Sequence, residues 1–282
     1  MVCFGVSLPP PFCCVKALQR AWCLRSRSCG IVKPQLTLTG GGAMRLRSIR
    51  RREAAELQWK AMVEDIKHQQ KQRKDLGNFK NCLAMCLLTD MLGNHRISAL
   101  SLGLVVSEMS EEPWKGMVIT FGDSSSELLL HSIQGNDLKS KRKFMMQTWQ
   151  NFRFAVNFPE ACDMILEVAV NENLKAEKMI KKVFVFTDFA SGCHWKTKYE
   201  EVRRKFMEQG YEDDAIPQVL IWGLFDLNMP SIEELHPGLT LLSGFSDNLS
   251  KLFSDNGGEI GPHQLMEAAI ADKEYQSLRE VD

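Results

Sequence analysis

The first 52 residues of the sequence contain no Asp or Glu, although they contain ten Lys and Arg. Residues 53–282 have the opposite imbalance, with 25 Lys and Arg against 35 Asp and Glu and a net charge of −10. Sequence-independent binding to nucleic acid depends on Lys and Arg side chains placed against the phosphates. The acidic composition of residues 53–282 therefore argues against nucleic acid as a partner of the main domain.

Long apolar runs are also lacking. The longest are about ten residues, whereas a membrane-spanning helix needs about 20, so we expect no membrane partner. Cysteine is not scarce, but five of the nine lie in the first 29 residues and the spacing forms no disulfide framework. Cys82, Cys86 and Cys162 fall in apolar strand or helix patterns, where Cys acts as a small hydrophobic residue. This usage predicts a reducing compartment, and we expect the cytoplasm.

Motifs for nucleotides and metal-binding histidines are absent from the sequence. The stretch TGGGA at residues 39–43 lacks the preceding strand and the following Lys of a phosphate-binding loop. None of the six His stands at a spacing typical of metal ligands: His68, His95, His131, His194, His236 and His263. We therefore expect neither a nucleotide site nor a histidine-based metal site.

Residues 1–52 show no lasting periodicity, and Pro9 to Pro11 interrupt their first apolar run. They fit a disordered tail, or sequence from outside the original coding unit. Their content of Arg and Ser without acid also fits a transit peptide, which would place the protein in the mitochondrion or chloroplast. The sequence thus divides into this tail, an amphipathic helix over 53–76 and a domain over 77–282.

Apolar periodicity predicts an α/β fold. Residues 53–70 form an amphipathic helix whose apolar face is Ala55, Trp59, Met62, Val63 and Ile66. The predicted strands are 81–89, 116–121, 127–133, 182–188, 217–224 and 239–245, and the predicted helices are 96–109, 137–148, 158–170, 197–209, 246–253 and 261–270. Continuously apolar strands that alternate with helices indicate a doubly wound, mostly parallel sheet with helices on both faces.

Several stretches carry a family resemblance: AELQWKAMVEDI, NCLAMC, LGLVVSEMSEEPWKGMVITF, MIKKVFVFTDF, FDLN after LIWG, and GFSDNLSKLFSDNGGEI. Together they resemble the C-terminal domain of a plant family of uncharacterised proteins. That domain is itself similar to a von Willebrand factor A domain, as in Ro-type RNA-binding proteins. The resemblance covers roughly residues 53–282. Because such proteins carry a longer N-terminal helical region, this chain resembles a truncated, divergent member.

The resemblance implies a divalent-cation site at the carboxyl edge of the sheet. In the related domains the ligands are a D-x-S-x-S motif after the first strand, a Thr on a later loop and an Asp after a central strand. Such a set suits Mg²⁺, which prefers oxygen ligands in a near-octahedral array. The site also leaves coordination positions open for water or for a carboxylate of a partner.

This sequence departs from that ligand pattern. Aligned on Cys86, the ligand positions fall on Leu87, Thr89, Met91, Val156 and Asp188. If Asp90 is instead the first acid, the next two ligands fall on Leu92 and Asn94. Either register leaves too few oxygens for Mg²⁺ without help from a substrate. We therefore expect a degenerate site that holds no metal and uses no other cofactor.

Asp188 has two interpretations: it caps the loop or helix after its strand, or it is a remnant metal ligand. Asp90 and Asp188 together could form a carboxylate pair capable of acid–base chemistry. No neighbouring His, Ser or Lys motif supports that pair.

Other candidate residues favour structural roles. Cys193 and His194 are adjacent in sequence, and a nucleophile and its base normally come from distant positions, so we expect an exposed loop. Residues 122–127 (GDSSSE) fit a hairpin turn better than a phosphate-binding or phosphorylated loop. Trp114 and Lys115 precede a strand and are expected to anchor a loop.

The expected function is a non-catalytic protein-interaction module with an unknown protein partner. The loop of Asp90, Met91, Leu92, Gly93 and Asn94 is the expected contact surface. One alternative is a metal-dependent hydrolase that uses Asp90 and Asp188. A second is an RNA-related function by fold-level analogy with Ro-type proteins, against which the charge of residues 53–282 argues.

Overall fold

A seven-stranded sheet forms the centre of the described part of the chain. The computed structural model describes residues 41–72, 79–87, 94–121, 128–147, 158–187, 194–224 and 231–270. The strands are β1 Cys82–Leu87, β2 Met117–Phe121, β3 Leu128–Ser132, β4 Lys182–Thr187, β5 Gln218–Gly223, β6 Ser231–His236 and β7 Leu239–Ser243. The strand order across the sheet is β3-β2-β1-β4-β5-β7-β6.

The five inner strands are parallel, and β3 and β6 pair antiparallel at the two edges. The helices among the described residues are α1 Gly41–Gln72, α2 Asn94–Met109, α3 Leu138–Gln147, α4 Phe158–Asn171, α5 Trp195–Glu208, α6 Asp247–Asp255 and α7 Pro262–Ile270. Short 3₁₀ turns lie at Ala176–Lys178 and Asp213–Ala215. The expected α/β class with a mostly parallel sheet is confirmed, and the arrangement is consistent with a Rossmann-like or von Willebrand factor A-like fold.

Helices cover both faces of the sheet. Alternate side chains of each strand point to opposite faces, so each strand contributes to two cores. In β1, Cys82, Ala84 and Cys86 belong to the core shared with α1, α2, α6 and α7. Leu83, Met85 and Leu87 belong to the core shared with α4 and α5. A strand buried on both faces needs a continuous apolar run, as CLAMCL provides.

Several predicted helix ends are confirmed in detail. Ser246 precedes α6, and its Oγ accepts a hydrogen bond of 3.0 Å from the backbone N–H of Leu249, as an N-cap does. Pro262 is the first residue of α7. Gly210 follows α5 with a φ of +81°, a conformation that glycine adopts without strain.

The first helix of the structure is longer than the pattern predicts. It begins at Gly41 rather than near residue 53, and residues 43–52 are mostly Ala, Met, Leu and Arg, which are good helix formers. Of its predicted apolar side, Ala55, Trp59, Val63 and Ile66 are buried, and Met62 is half-buried against the same core. The helix packs on α2, α3 and α6, so it is part of the domain that the strands build.

The edge strand β6 was not predicted from the sequence. Its sequence SIEELH carries two adjacent glutamates, and most of its side chains reach solvent, so it has no apolar run to reveal it. The strand forms because it pairs with β7, with an irregular register between Glu234 and His236. No helix among the described residues is both long enough and apolar enough to cross a membrane.

Candidate functional site

Four parallel strands end side by side at one edge of the sheet. Leu87 of β1 lies beside Thr187 of β4, which lies beside Gly223 of β5, which lies beside Ser243 of β7. We call these four residues the carboxyl row. The chain segments after these strands therefore begin next to one another at the same edge.

The point between β1 and β4 is the topological switch of the sheet. From β1 the chain continues through α2 to β2, whereas from β4 it continues through α5 to β5 on the other side. The two connections diverge there and leave a crevice, which is the usual place for a ligand in an open α/β sheet. Asp188 follows Thr187 directly in the sequence, and Asp90 follows Leu87 by three positions.

Most of the predicted site residues lie outside the described part of the chain. These are Thr89, Asp90, Met91, Leu92, Gly93, Val156 and Asp188. Asn94 is described only as the first residue of α2. Cys193 and the GDSSSE segment also lie outside the described residues. The structure thus describes the ends of β1 and β4, after which the segments with Asp90 and Asp188 begin.

Leu87 is the predicted ligand position whose side chain the structure describes. It is 1% exposed and belongs to the apolar core that includes Met85 and Trp114. A leucine offers no oxygen, and Mg²⁺ takes oxygen ligands. Within the described ranges there is also no group of three or more His, Cys, Asp or Glu that could hold a metal ion. The described residues therefore do not fit a metal at this edge.

Hydrogen bonds fix the carboxyl row. The carbonyl of Thr187 accepts from Leu224 N at 2.9 Å, and the carbonyl of Gly223 accepts from Gly244 N at 3.0 Å. Trp222 Nε1 donates to the carbonyl of Gly244 at 2.7 Å. Gly244 has a φ of +97°, which suits glycine at this bend. The sequence pattern does not predict the Trp222–Gly244 bond, because it joins β5 to the residue that follows β7.

The structure also describes Trp114 and His194, for which the sequence predicts an anchor and an exposed loop. Trp114 is fully buried, and its Nε1 donates to the carbonyl of Lys178 at 2.7 Å, so its predicted role as an anchor is confirmed. His194 is exposed, as expected for a loop, and precedes α5 with a φ of 48°. Its side chain makes no capping hydrogen bond to that helix.

The thiols in the described part of the chain are protonated and inaccessible. Burial raises the pKa of Cys82 and of Cys86 from 9.0 to about 12. Burial raises the pKa of Cys162 as well, with a smaller contribution from the negative charge of Asp163. A nucleophilic cysteine requires the thiolate form, so these three residues are structural.

A polar cavity of about 140 Å³ lies between α1, the end of α2 and the start of α3. Its groups are paired: Glu56 Oε2 accepts from the backbone N–H of Leu138 at 2.8 Å, and Lys141 forms an ion pair with Glu108. The Glu56 bond attaches α1 to the start of α3, and the ion pair joins α3 to α2. The cavity therefore lies at a contact between helices, and the charges of Glu56, Glu108 and Lys141 in it already have partners.

Comparisons with known proteins match this chain to a family model and to a viral protein. Residues 81–281 match the family model described as "Domain of unknown function (DUF7788)". The chain is also similar to the uncharacterized protein L728 of Acanthamoeba polyphaga mimivirus, with 31% identity over 224 residues. That alignment covers 76% of this chain and 36% of the viral protein, so the chain spans about a third of that relative. No solved structure matches the chain.

Proposed function

The chain belongs to the family of the domain of unknown function DUF7788, and we propose that it is a non-catalytic protein-interaction module of the von Willebrand factor A type with a degenerate metal site. The burial of Leu87 carries this proposal. In the register set on Cys86, the resemblance to von Willebrand factor A domains implies that Leu87 stands where the first metal-ligating aspartate is expected. An apolar side chain packed into the core at that position removes the first ligand.

The chemistry of the buried polar groups supports a non-catalytic role. Within the described ranges, the buried polar residues are all uncharged: Asn81, Ser98, Ser101, Ser107, Ser110, Thr120, Thr187, Ser250 and Ser254. Catalytic sites usually contain acids or bases whose pKa is shifted by burial or by a nearby charge. The strongly shifted groups here are the thiols of Cys82, Cys86 and Cys162, and their shift suppresses reactivity.

The geometry of the carboxyl row supports a binding role. Its strand ends are held by main-chain bonds to Leu224 and Gly244 and by the Trp222 bond to Gly244. Loops that start from a rigid frame can present a surface to a partner at low entropic cost. We assign the partner contact to Asp90, Met91, Leu92, Gly93 and Asn94, the segment after β1. The net charge of −10 over residues 53–282 favours a protein over nucleic acid as that partner.

Affinity capture with the full chain tests this function. We expect the double substitution Met91→Asp with Leu92→Asp to abolish capture of a partner protein. Met266→Asp is the matched control, because Met266 is 54% exposed on α7 and belongs neither to the carboxyl row nor to the segment after β1, and this variant should capture as the wild type does. Capture should be the same in EDTA and in Mg²⁺.

Two results would contradict the proposal. Capture that is lost in EDTA and restored by Mg²⁺ would identify metal-dependent adhesion instead. Turnover of phosphoesters or nucleotides with Mg²⁺ or Mn²⁺, abolished by Asp90→Ala and by Asp188→Ala in folded protein, would identify a hydrolase.

We place this module in the cytoplasm. Cys82, Cys86 and Cys162 are buried and form no disulfide within the described residues, which supports a reducing compartment. A fluorescent fusion of residues 1–52 that remains diffuse in the cytosol is the expected result. Accumulation of that fusion in mitochondria or chloroplasts would assign residues 1–52 as a transit peptide instead.

A further inference from the structure

The two edges of the sheet differ in how they are protected against further strand pairing. At β6, Glu233 and Glu234 are exposed, and the register is irregular between Glu234 and His236. Charged side chains and bulges are the devices by which proteins block an edge strand. At the other edge, β3 has the sequence LLLHS and pairs with β2 without a register shift. It carries no acid, Lys, Arg or Pro, so this edge lacks those devices.

The backbone of β3 offers hydrogen-bonding groups that no described residue uses. The bond from Ile133 N to Gly116 O, 2.8 Å long, sets the alternation of the antiparallel ladder. By that alternation, His131 and Leu129 direct their N–H and C=O groups to β2. Leu128, Leu130 and Ser132 direct theirs away from the sheet.

The outward groups differ in whether they have partners. The carbonyl of Ser132 accepts from Gln134 Nε2 at 2.9 Å. The outward groups of Leu128 and Leu130 make no hydrogen bond to another described residue. They present the donor and acceptor spacing that an added strand would use.

The two faces beside this edge have different chemistry. On one face, Leu128 and Leu130 join the apolar core on which α4 packs. On the other face, Leu129 is 39% exposed, and His131 contacts Phe144 of α3 with ring centroids 6.0 Å apart. That helix, with the sequence LKSKRKFMMQ, contains four basic residues and no acid. Its Lys139 and Lys143 are exposed and form no salt bridge within the described residues.

We propose that the β3 edge binds an extended segment of a partner protein by strand addition, and that this segment alternates apolar and acidic residues. The apolar side chains would lie beside Leu128 and Leu130. The acidic ones would lie on the Leu129 face, where His131 contacts Phe144 of α3, the helix that carries the exposed Lys139 and Lys143. This surface contains no residue of the carboxyl row, and the inference holds whether or not the segment after β1 binds a partner.

A second copy of the chain suits this edge less well. Antiparallel pairing of two β3 strands about a two-fold axis would place both α3 helices on the same face of the joined sheet. The exposed Lys139 and Lys143 of both copies would then lie on the same face, and like charges oppose association. Binding of an acidic segment would avoid repulsion between the lysines of two copies, and its carboxylates would be attracted to Lys139 and Lys143.

Amide hydrogen exchange of the dilute full chain, followed by NMR, tests whether the edge is open. The amides of Leu128 and Leu130 should exchange at least about tenfold faster than those of Leu129 and His131, which bond to β2. A synthetic eight-residue peptide of alternating Val and Glu should slow exchange at Leu128 and Leu130. The same peptide with Lys in place of Glu should not, nor should one with N-methyl groups on alternate residues.

Binding of the Val–Glu peptide should respond to side chains on the α3 face. Leu129→Glu should weaken peptide binding about tenfold, because it places a negative charge beside the acidic residues of the peptide. Leu57→Glu is the matched control, because Leu57 is 68% exposed on α1, and it should bind as the wild type does. Lys139→Glu with Lys143→Glu should weaken binding about fivefold or more, as expected for two exposed ion pairs.

Four outcomes would overturn the proposal. Slow exchange at Leu128 and Leu130 at every protein concentration would mean that the chain itself closes the edge. Exchange that slows as the protein concentration rises would assign the edge to a second copy. Equal binding of the Val–Glu and Val–Lys peptides would show that the edge does not select acidic residues. Equal weakening by Leu129→Glu and Leu57→Glu would make the binding non-specific.

Discussion

Gly103 of α2 lies directly against Cys86 of β1: a Cβ at position 103 would stand 2.5 Å from Cys86 Sγ. Gly103→Ala should destabilise the protein by about 1–3 kcal/mol, because overpacking of a dense core outweighs the gain in helix propensity. The free energy of unfolding in urea measures this cost. The double variant Gly103→Ala with Cys86→Ala removes the clash, so it should be more stable than Gly103→Ala alone. A Gly103→Ala variant as stable as the wild type would show that the helix and strand do not approach so closely.

Asn81 combines a buried side chain with a φ of 54°, and its Nδ2 donates to the carbonyl of Glu177 at 2.6 Å. Asn81→Ala loses that bond and forces alanine into the left-handed region, so we expect a cost of about 2–3 kcal/mol. Asn81→Gly loses the bond but tolerates the backbone, and its cost should be smaller by about 1 kcal/mol. Chemical denaturation measures both. Equal stability losses in the two variants would contradict the backbone part of this argument.

Asp137 precedes α3, and its Oδ1 accepts from the backbone N–H of Ser140 at 2.7 Å. Hydrogen bonds from Ser140 hold the pKa of the Asp137 carboxyl below its usual 3.8. A lowered pKa in the folded protein means that this stabilisation is present above the unfolded pKa and is lost as the pH falls through the folded pKa. Asp137→Ala should therefore cost about 1 kcal/mol at pH 7 and less near pH 2.

Asp137→Asn is the control for charge, because an amide oxygen can still cap the helix. It should retain most of the stability at pH 7 and lose the pH dependence attributable to this residue. Melting temperatures of the three proteins between pH 2 and pH 7 provide the comparison. A constant difference between wild type and Asp137→Ala over that range would argue against the cap.

The thiols of Cys82, Cys86 and Cys162 should resist modification in the native protein. Because burial raises the pKa of Cys82 and Cys86 to about 12, almost no thiolate forms at pH 8. Iodoacetamide at pH 8, followed by peptide mass spectrometry, should leave the three residues unmodified and should label all of them in guanidinium. Rapid labelling of Cys86 in native protein would contradict the burial of its side chain against α2.

The sequence pattern predicted what depends on local periodicity and failed where long-range pairing decides. The apolar runs of β1 and β4 and the cap at Ser246 were predictable, because each follows from neighbouring residues. The strand β6 was not, since SIEELH becomes a strand only through its pairing with β7. The start of α1 at Gly41 was not either, because no apolar stripe marks the Arg-rich turns that precede Ala55.

For the candidate site, the sequence identified the edge of the sheet but could not establish its packing. That Leu87 and Thr187 lie side by side follows from the order of strands, which alternating helices and strands do not specify uniquely. The burial of Leu87 in the core depends on α4 and α5, whose docking no local pattern reveals. The assignments of Asp90 and Asp188 remain predictions from the sequence.

Thermal unfolding of the full chain with and without a divalent cation tests the central claim that this edge of the sheet works without a metal. The melt is recorded in EDTA and then in millimolar Mg²⁺ or Mn²⁺, for the wild type, for Asp188→Ala and for the surface control Asp163→Ala. A ligand that binds only the native state raises the midpoint by mass action. We predict the same midpoint with and without metal in all three proteins. An increase that appears in the wild type and in Asp163→Ala but vanishes in Asp188→Ala would contradict the account.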